Sequence, residues 1–252
     1  MALPYRVWAS ARVRQLIDWQ EQWLSSNVCS YRPEFGCEDA WFEEALRVEQ
    51  ALLSGAPLCG LHIDLSKAFD TLPQEVLLQM AEEVGMDPNV LRALRGMYGS
   101  LQRRFRIDGH MGAPFYSTNG ILQGCPLSVL LMNLFTECWV RAVKAEVPNA
   151  NPQGYADDVG MTSEAPADVL RTCSLTDEFS TLTGTKVNAK KSHIWATHRA
   201  HRDLLASSCS IGGERLTLVT EDRRLGAHLR YNGTRGQTTL KKKLGECVRM
   251  CE

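Results

Sequence analysis

The sequence has no apolar run approaching the roughly 18–20 residues that a bilayer span requires, so no membrane partner is expected. It has no Cys-x-x-Cys pair: its nine cysteines (Cys29, Cys37, Cys59, Cys125, Cys138, Cys173, Cys209, Cys247 and Cys251) are scattered and odd in number. That spacing argues against a zinc site and against a disulfide framework, and for a reducing compartment. Nor is a secretory leader expected from residues 1–20. Residues 1–20 set Arg6, Arg12 and Arg14 between apolar residues at helical spacing, not a charged tip followed by an apolar core and a cleavage site. There is no excess of positive charge: 28 Lys and Arg stand against 29 Asp and Glu, with a net charge of −1, so the total does not advertise a nucleic-acid binder. Internal repeats and low-complexity linkers are absent.

What is present is an ordinary globular composition. At 252 residues, 44% hydrophobic and 23% charged, the chain can bury one substantial core and form one or two domains. Charge is uneven along it: Arg92, Arg95, Arg103, Arg104 and Arg106 cluster, as do the basic residues from Lys186 to Arg202, while Glu34, Glu38, Asp39, Glu43, Glu44 and Glu49 crowd another stretch. A neutral total can therefore conceal basic faces.

Periodicity predicts helices over 5–24, 38–54, 73–84, 88–99, 127–146, 166–182 and 236–250. Pro126 suits the first turn of the long apolar helix. Buried or paired strands are expected over 57–65, at 102–107 with 114–119 around Asp108-Gly109, across a hairpin at 152–163, over 186–196, and in short pieces within 208–230. Strands interleaved with helices around a central hairpin imply an α+β sheet covered on one face by helices.

The chain is organised around Gly154-Tyr155-Ala156-Asp157-Asp158-Val159-Gly160, which reads as a tight hairpin presenting two carboxylates at its turn. Adjacent like charges repel unless a cation neutralises them, and Mg²⁺ takes oxygen ligands of this kind. Upstream, Asp64 ends an otherwise buried strand, where an unpaired carboxylate is costly. If that strand lies beside the hairpin, Asp64 and Asp157 can share cations. Two metals about 4 Å apart would clamp a phosphoryl transfer, one at the attacking hydroxyl and one at the leaving pyrophosphate.

Three ordered stretches now carry a resemblance: His62-Ile-Asp64-Leu-Ser-Lys-Ala-Phe69-Asp70-Thr, Gly120-Ile-Leu-Gln123-Gly124-Cys-Pro126-Leu-Ser128 and Tyr155-Ala-Asp157-Asp158. They resemble motifs A, B and C of reverse transcriptases, most closely those of non-LTR (LINE-type) retrotransposons. Weaker likenesses follow at Thr183–Ser192 (motif D) and Arg224-Leu225-Gly226 (motif E), so the resemblance spans roughly residues 3–230. It implies a right-hand polymerase palm: an antiparallel sheet backed by helices, with partial fingers in 1–56, the palm in 57–230 and the start of a thumb in 231–252.

The family's roles then fall on particular residues. Asp64, Asp157 and Asp158 become metal ligands, with two Mg²⁺ as cofactor and Mn²⁺ as a substitute. Phe69 takes the steric-gate position, where a ring presses on a ribose 2′-OH. Gln123 and Gly124 let the backbone approach nucleotide and template, and Tyr155 packs near the primer end. Lys191 donates a proton to departing pyrophosphate or steadies its charge, with Lys190 competing for the role. Asp70 is structural, and the arginines at 92–106 are candidates for phosphate contacts. The implied partners are an RNA template, a DNA primer and dNTPs, and the implied location is nuclear. Val129 replaces the family's usual Pro. The expected fingers strands and complete thumb are missing, so the chain reads as a palm-centred fragment. A catalytically inactive retroelement remnant that at most binds nucleic acid is the alternative; a polymerase of another palm family is a third reading, which Phe69 opposes. Lys241-Lys242-Lys243 is read as a thumb contact with duplex or a solvated face.

Overall fold

A computed structural model describes residues 3–233. Helix α1 (Leu3–Trp23) buries Ala9, Leu16, Gln20 and Trp23 along one stripe. Helix α2 (Cys37–Ser54) begins where the Asp39 carboxylate accepts from the Gly36 N–H at 2.6 Å, and it ends at Gly55, whose φ of 70° is the left-handed cap conformation. Its buried stripe is Ala40, Glu44, Val48 and Ala51, so a carboxylate sits in the middle of an apolar face. Strand β1 (Cys59–Asp64) follows, then the short α3 (Ala68–Thr71), α4 (Gln74–Glu83) and α5 (Pro88–Ser100), which Asp87 caps by accepting from the N–H groups of Asn89 and Val90.

The predicted 102–119 strand pair is a hairpin of two-residue ladders: β2 (Gln102–Arg103) pairs with β5 (Phe115–Tyr116), and β3 (Arg106–Ile107) with β4 (His110–Met111). Asp108 and Gly109 both carry positive φ at its tip, as the Asp-Gly turn requires. The long α6 (Pro126–Glu146) leads to the hairpin β6 (Asn151–Tyr155) and β7 (Asp158–Ser163), and then to α7 (Pro166–Thr183). Only His193–Ala196 of the predicted 186–196 strand is extended (β8). The sequence reading has no counterpart for α8 (Arg199–Ser208), whose single buried residue, Leu205, leaves little apolar stripe to detect. Short strands β9 (Ser210–Ile211), β10 (Glu214–Arg215), β11 (Thr217–Leu218), β12 (Glu221–Arg224) and β13 (Ala227–Arg230) complete the described chain. The helix predicted at 236–250 and Lys241–Lys243 lie outside the described residues.

The main sheet runs β11-β8-β1-β7-β6, with β1 at its centre and antiparallel to both neighbours; β11 joins the edge in parallel. Alternation along β1 assigns its two faces. Cys59, Leu61 and Ile63 enter the large core shared with α1, α4, α5, α6 and α7. Gly60, His62 and Asp64 point to the other face. There α2 and the β12–β13 hairpin build a second, smaller cluster of Val48, Ala51, Leu58, Trp195, Leu229 and Tyr231. The sheet is backed by helices as expected, and the second face is partly covered as well. The indole of Trp195 stacks on the Tyr231 ring at 4.1 Å and 7°. It fits only because β1 carries glycine opposite it: a Cβ on Gly60 would lie 2.5 Å from the Trp195 ring.

Candidate active site

The carboxylate face is built by register. Tyr155 and Asp158 close the β6–β7 hairpin across a two-residue loop, Ala156-Asp157, in which Ala156 takes a φ of 55°. The Thr136 hydroxyl on α6 holds this loop by donating to the Ala156 carbonyl at 2.6 Å. Gly154 permits that approach, since a Cβ there would meet the Thr136 methyl at 2.3 Å. On the neighbouring strand Asp64 stands directly opposite Asp158. The loop before β8 is laced to the end of β1: Asn188 N–H donates to the Asp64 carbonyl at 2.8 Å, and Ser192 Oγ accepts from Asp64 N–H at 3.0 Å. This brings Lys191 Nζ to 3.9 Å from Asp64 Oδ1.

Asp64, Asp157, Asp158 and Lys191 all line one cavity of about 420 Å³, together with His62, His193, Asp222 and Arg224. Burial raises the Asp157 carboxyl pKa, and the negative charges of Asp158 and Asp64 push it the same way. An anion so disfavoured is relieved by a cation, and the donor set is all carboxylate oxygen, which suits a hard divalent ion. The three carboxylates share the cavity without converging. Among the described residues, the group of three ligating side chains whose donor atoms lie within 4.8 Å of one another is instead His62, His193 and Asp222.

Beneath the cavity lies a buried ionic network that sequence reasoning missed. Glu44 (1% exposed) accepts from His62 Nε2 at 2.8 Å and from Arg224 Nη1 at 2.5 Å. Burial alone would raise the Glu44 carboxyl, but His62 and Arg224 outweigh it and hold the pKa at about 2. Conversely, burial would lower His62, and the Glu44 charge overrides it and raises the imidazole. Asp222 is lowered in the same way: burial opposes, and hydrogen bonds from His193 and His62 prevail. Arg224 Nε sits 3.7 Å from Asp158 Oδ1, linking network to cavity. Its Nε and Nη2 are buried without a hydrogen-bond partner among the described residues. Gly160 makes room for this arrangement, for a Cβ there would be 2.8 Å from the His62 ring and 3.4 Å from Arg224 Nη2.

Two signals could have revealed the network. His62 is two residues before Asp64 in a strand and therefore shares its face. Glu44 interrupts an apolar helical stripe, and a buried carboxylate demands partners.

The remaining predicted residues lie off this cavity. Phe69 is half-buried against the main core, at the turn after β1. Its carbonyl accepts from Ile121 N–H at 2.6 Å, and the Leu72 carbonyl from Gly120 N–H at 2.7 Å, so the loop leading to Gln123 and Gly124 is stapled to the Phe69 turn. Gly120 has a φ of 84°, and a Cβ on it would lie 2.6 Å from the Asp70 carbonyl oxygen. Gln123 and Gly124 are exposed, and Gly124 has a φ of 76°. The Tyr155 ring faces Tyr31 at 6.3 Å. The arginine cluster divides: Arg95 pairs with Glu82 at 2.6 Å, and Arg103 donates to the Gly120 carbonyl at 3.2 Å. Lys190 is exposed and does not line the cavity.

Comparison with known proteins bears on this arrangement. The family model described as "Reverse transcriptase (RNA-dependent DNA polymerase)" matches residues 2–222. A transposon TX1 protein of 149 kDa from Xenopus laevis is 27% identical over 148 residues, which is 55% of this chain and 11% of that protein. The Pol polyprotein of the type-2 retrotransposable element R2DM from Drosophila melanogaster is 28% identical over 136 residues, 52% of this chain and 13% of the polyprotein. The chain thus spans little more than a tenth of the length of either. Among solved structures, a truncated Candida tropicalis telomerase superposes with a TM-score of 0.59 at 13% identity, over 88% of this chain and 45% of that one. A Candida albicans telomerase, solved with a fragment of telomeric RNA, superposes with a TM-score of 0.57 at 12% identity, over 91% and 36%.

Proposed function

The chain belongs to the reverse transcriptase family and has the polymerase palm fold, and from that premise we propose that it is the RNA-directed DNA polymerase domain of a non-LTR retroelement. The observation that carries this reading is that Asp64, the adjacent pair Asp157 and Asp158, and Lys191, from three separate places in the chain, line one cavity. In the reaction a primer 3′-oxygen forms a bond to the α-phosphorus of a dNTP, the bond from that phosphorus to the bridging oxygen breaks, and pyrophosphate leaves.

Held by Asp64, Asp157 and Asp158, two Mg²⁺ would supply Lewis-acid stabilisation of the charge on the attacking and leaving oxygens. The chain's own residues do the rest. Lys191, exposed and 3.9 Å from Asp64, is free to meet the departing pyrophosphate with a proton or a positive charge. Arg224 is fixed by Glu44 and keeps a positive charge beside Asp158, which restrains the repulsion among the carboxylates. Phe69, held by the staple to the Gly120 loop, presents a ring against a ribose 2′-OH, while exposed Gln123 and Gly124 offer backbone to nucleotide and template. Tyr155, at the hairpin end, packs near the primer terminus. An RNA template is the partner supported by the family description and by the RNA-bound telomerase neighbour.

Primer extension on an RNA template with an annealed DNA primer, in Mg²⁺ and then Mn²⁺, tests the proposal. Asp157→Asn is expected to abolish dNTP incorporation while the circular dichroism spectrum is retained. Undiminished incorporation by that variant would refute it.

A further inference from the structure

We propose that His62, His193 and Asp222 bind one borderline divalent transition cation, with Zn²⁺ as its type, through ligands distinct from Asp64, Asp157 and Asp158. The inference rests on the geometry of these three side chains and not on the polymerase reading. His193 on β8 stands directly across from His62 on β1, so both rings rise from the same face, and β12 carries Asp222 over them. His62 Nδ1 lies 3.0 Å from His193 Nε2, His62 Nδ1 lies 3.3 Å from Asp222 Oδ2, and His193 Nε2 lies 2.8 Å from that same oxygen.

The far side of each ring decides where its proton sits. His62 Nε2 is 2.8 Å from the Glu44 carboxylate, which can only accept, so that nitrogen carries the hydrogen. Arg224 Nη1, 3.5 Å from the same nitrogen, is itself a donor, and it is engaged with the other Glu44 oxygen. His193 Nδ1 faces the Lys191 carbonyl at 3.3 Å, again an acceptor. Once an ion displaces the protons by which the facing nitrogens hydrogen-bond Asp222, rings anchored this way direct two lone pairs and a carboxylate oxygen at one point, which is a cation site. Orientation of ligand imidazoles by a carboxylate or a carbonyl on the opposite nitrogen is the usual arrangement around such ions.

The spacing agrees. With metal–imidazole bonds of about 2.0–2.1 Å, adjacent ligands of a tetrahedral or octahedral ion lie about 2.9–3.4 Å apart. Two imidazoles favour Zn²⁺ and its first-row neighbours over Mg²⁺. No cysteine is involved, which is why cysteine spacing carries no sign of the site. A bound ion would join β1, β8 and β12, and two residues beyond Asp222 on β12 is Arg224, the cation beside Asp158. Occupancy would therefore fix the hairpin that holds Arg224 against the carboxylate cavity.

The test is a Co²⁺ titration of the EDTA-stripped 252-residue protein in excess Mg²⁺, followed by visible absorption and by elemental analysis. The expected result is one equivalent of Co²⁺ with ligand-field bands, displaced by one equivalent of Zn²⁺. His193→Ala and Asp222→Asn should each weaken binding about tenfold or more, and Asp157→Asn should leave it unchanged. X-ray absorption of the zinc-loaded wild-type protein, which needs no variant to fold, should show two imidazole ligands. Absence of stoichiometric binding, fewer than two imidazoles, or loss of binding in Asp157→Asn in place of His193→Ala would overturn the proposal. The polymerase reading is tested separately by incorporation, so the two can fail independently.

Discussion

Replacing Glu44 by Gln changes one charge and almost no volume, at a position where the carboxylate is 1% exposed. Both of its oxygens are committed, one to His62 at 2.8 Å and one to Arg224 at 2.5 Å. A glutamine retains a single acceptor and turns an NH₂ toward the other donor, so one of the two contacts becomes donor against donor. Arg224 is 3% exposed and would keep only the more distant Asp158, at 3.7 Å, as a counter-charge. Leaving a buried charge uncompensated costs about 3–5 kcal/mol, against a total stability of roughly 5–15 kcal/mol for a folded domain. With a slope of about 2–3 kcal/mol per molar urea, the unfolding midpoint should fall by about 1–2 M with the slope unchanged. Arg224→Met in the Glu44→Gln background should recover part of the loss, because it removes the orphaned charge. A midpoint shift equivalent to less than about 1 kcal/mol would refute the claim that this network holds α2 and the β12–β13 hairpin to the sheet.

Gly60→Ala should lower stability by about 2–3 kcal/mol, because the new methyl would lie 2.5 Å from the Trp195 ring and 2.8 Å from the Met161 carbonyl oxygen, with Tyr231 stacked behind the indole. Calorimetry would read this as a fall in Tm of roughly 5–10 °C, and an unchanged Tm would mean that the sheet relaxes at no cost. Phe69→Val should raise ribonucleotide use relative to deoxyribonucleotide use by about 10–100-fold, measured as the ratio of kcat/KM values; an unaltered ratio would return Phe69 to a packing role. Burial pushes the Cys59 thiol from 9.0 up to about 12, so the folded chain prefers it protonated. Its contribution to stability is then present below pH 9 and lost as the pH rises toward 12. Peptide mapping after iodoacetamide treatment near pH 8 should find half-exposed Cys37 alkylated and Cys59 protected.

Much of the architecture is legible in the chain because its signals are local. Gly55 and Gly184 sit at left-handed helix caps, Asp87-Pro88 opens α5, Pro126 opens α6, and Asp108-Gly109 turns the small hairpin. The carboxylates are legible for the same reason: each closes or ends a strand whose apolar run is easy to recognise. Elements without a local signal escaped. Helix α8 is short and buries Leu205 alone, and most of 186–192 is a loop held by main-chain bonds to Asp64 and Ser66. Asp222 and His193 are unremarkable within their own segments, and Glu44, though it interrupts an apolar helical stripe, does not by itself name its partners.

The sequence by itself determined the family, the palm fold and the residues that can bear charge on the sheet, because spacing along a strand or helix settles which side chains share a face. Only the tertiary structure decided which faces meet. Register set Asp64 against Asp158 and His62 against His193, while Gly60 and Gly160 opened space for Trp195, His62 and Arg224. The β12–β13 hairpin then brought Asp222 and Arg224 onto a helix-borne Glu44. Burial and pairing, which set the charge states of Glu44, His62 and Asp157, depend on distances between segments far apart in the chain, and those come into being only when the sheet is assembled.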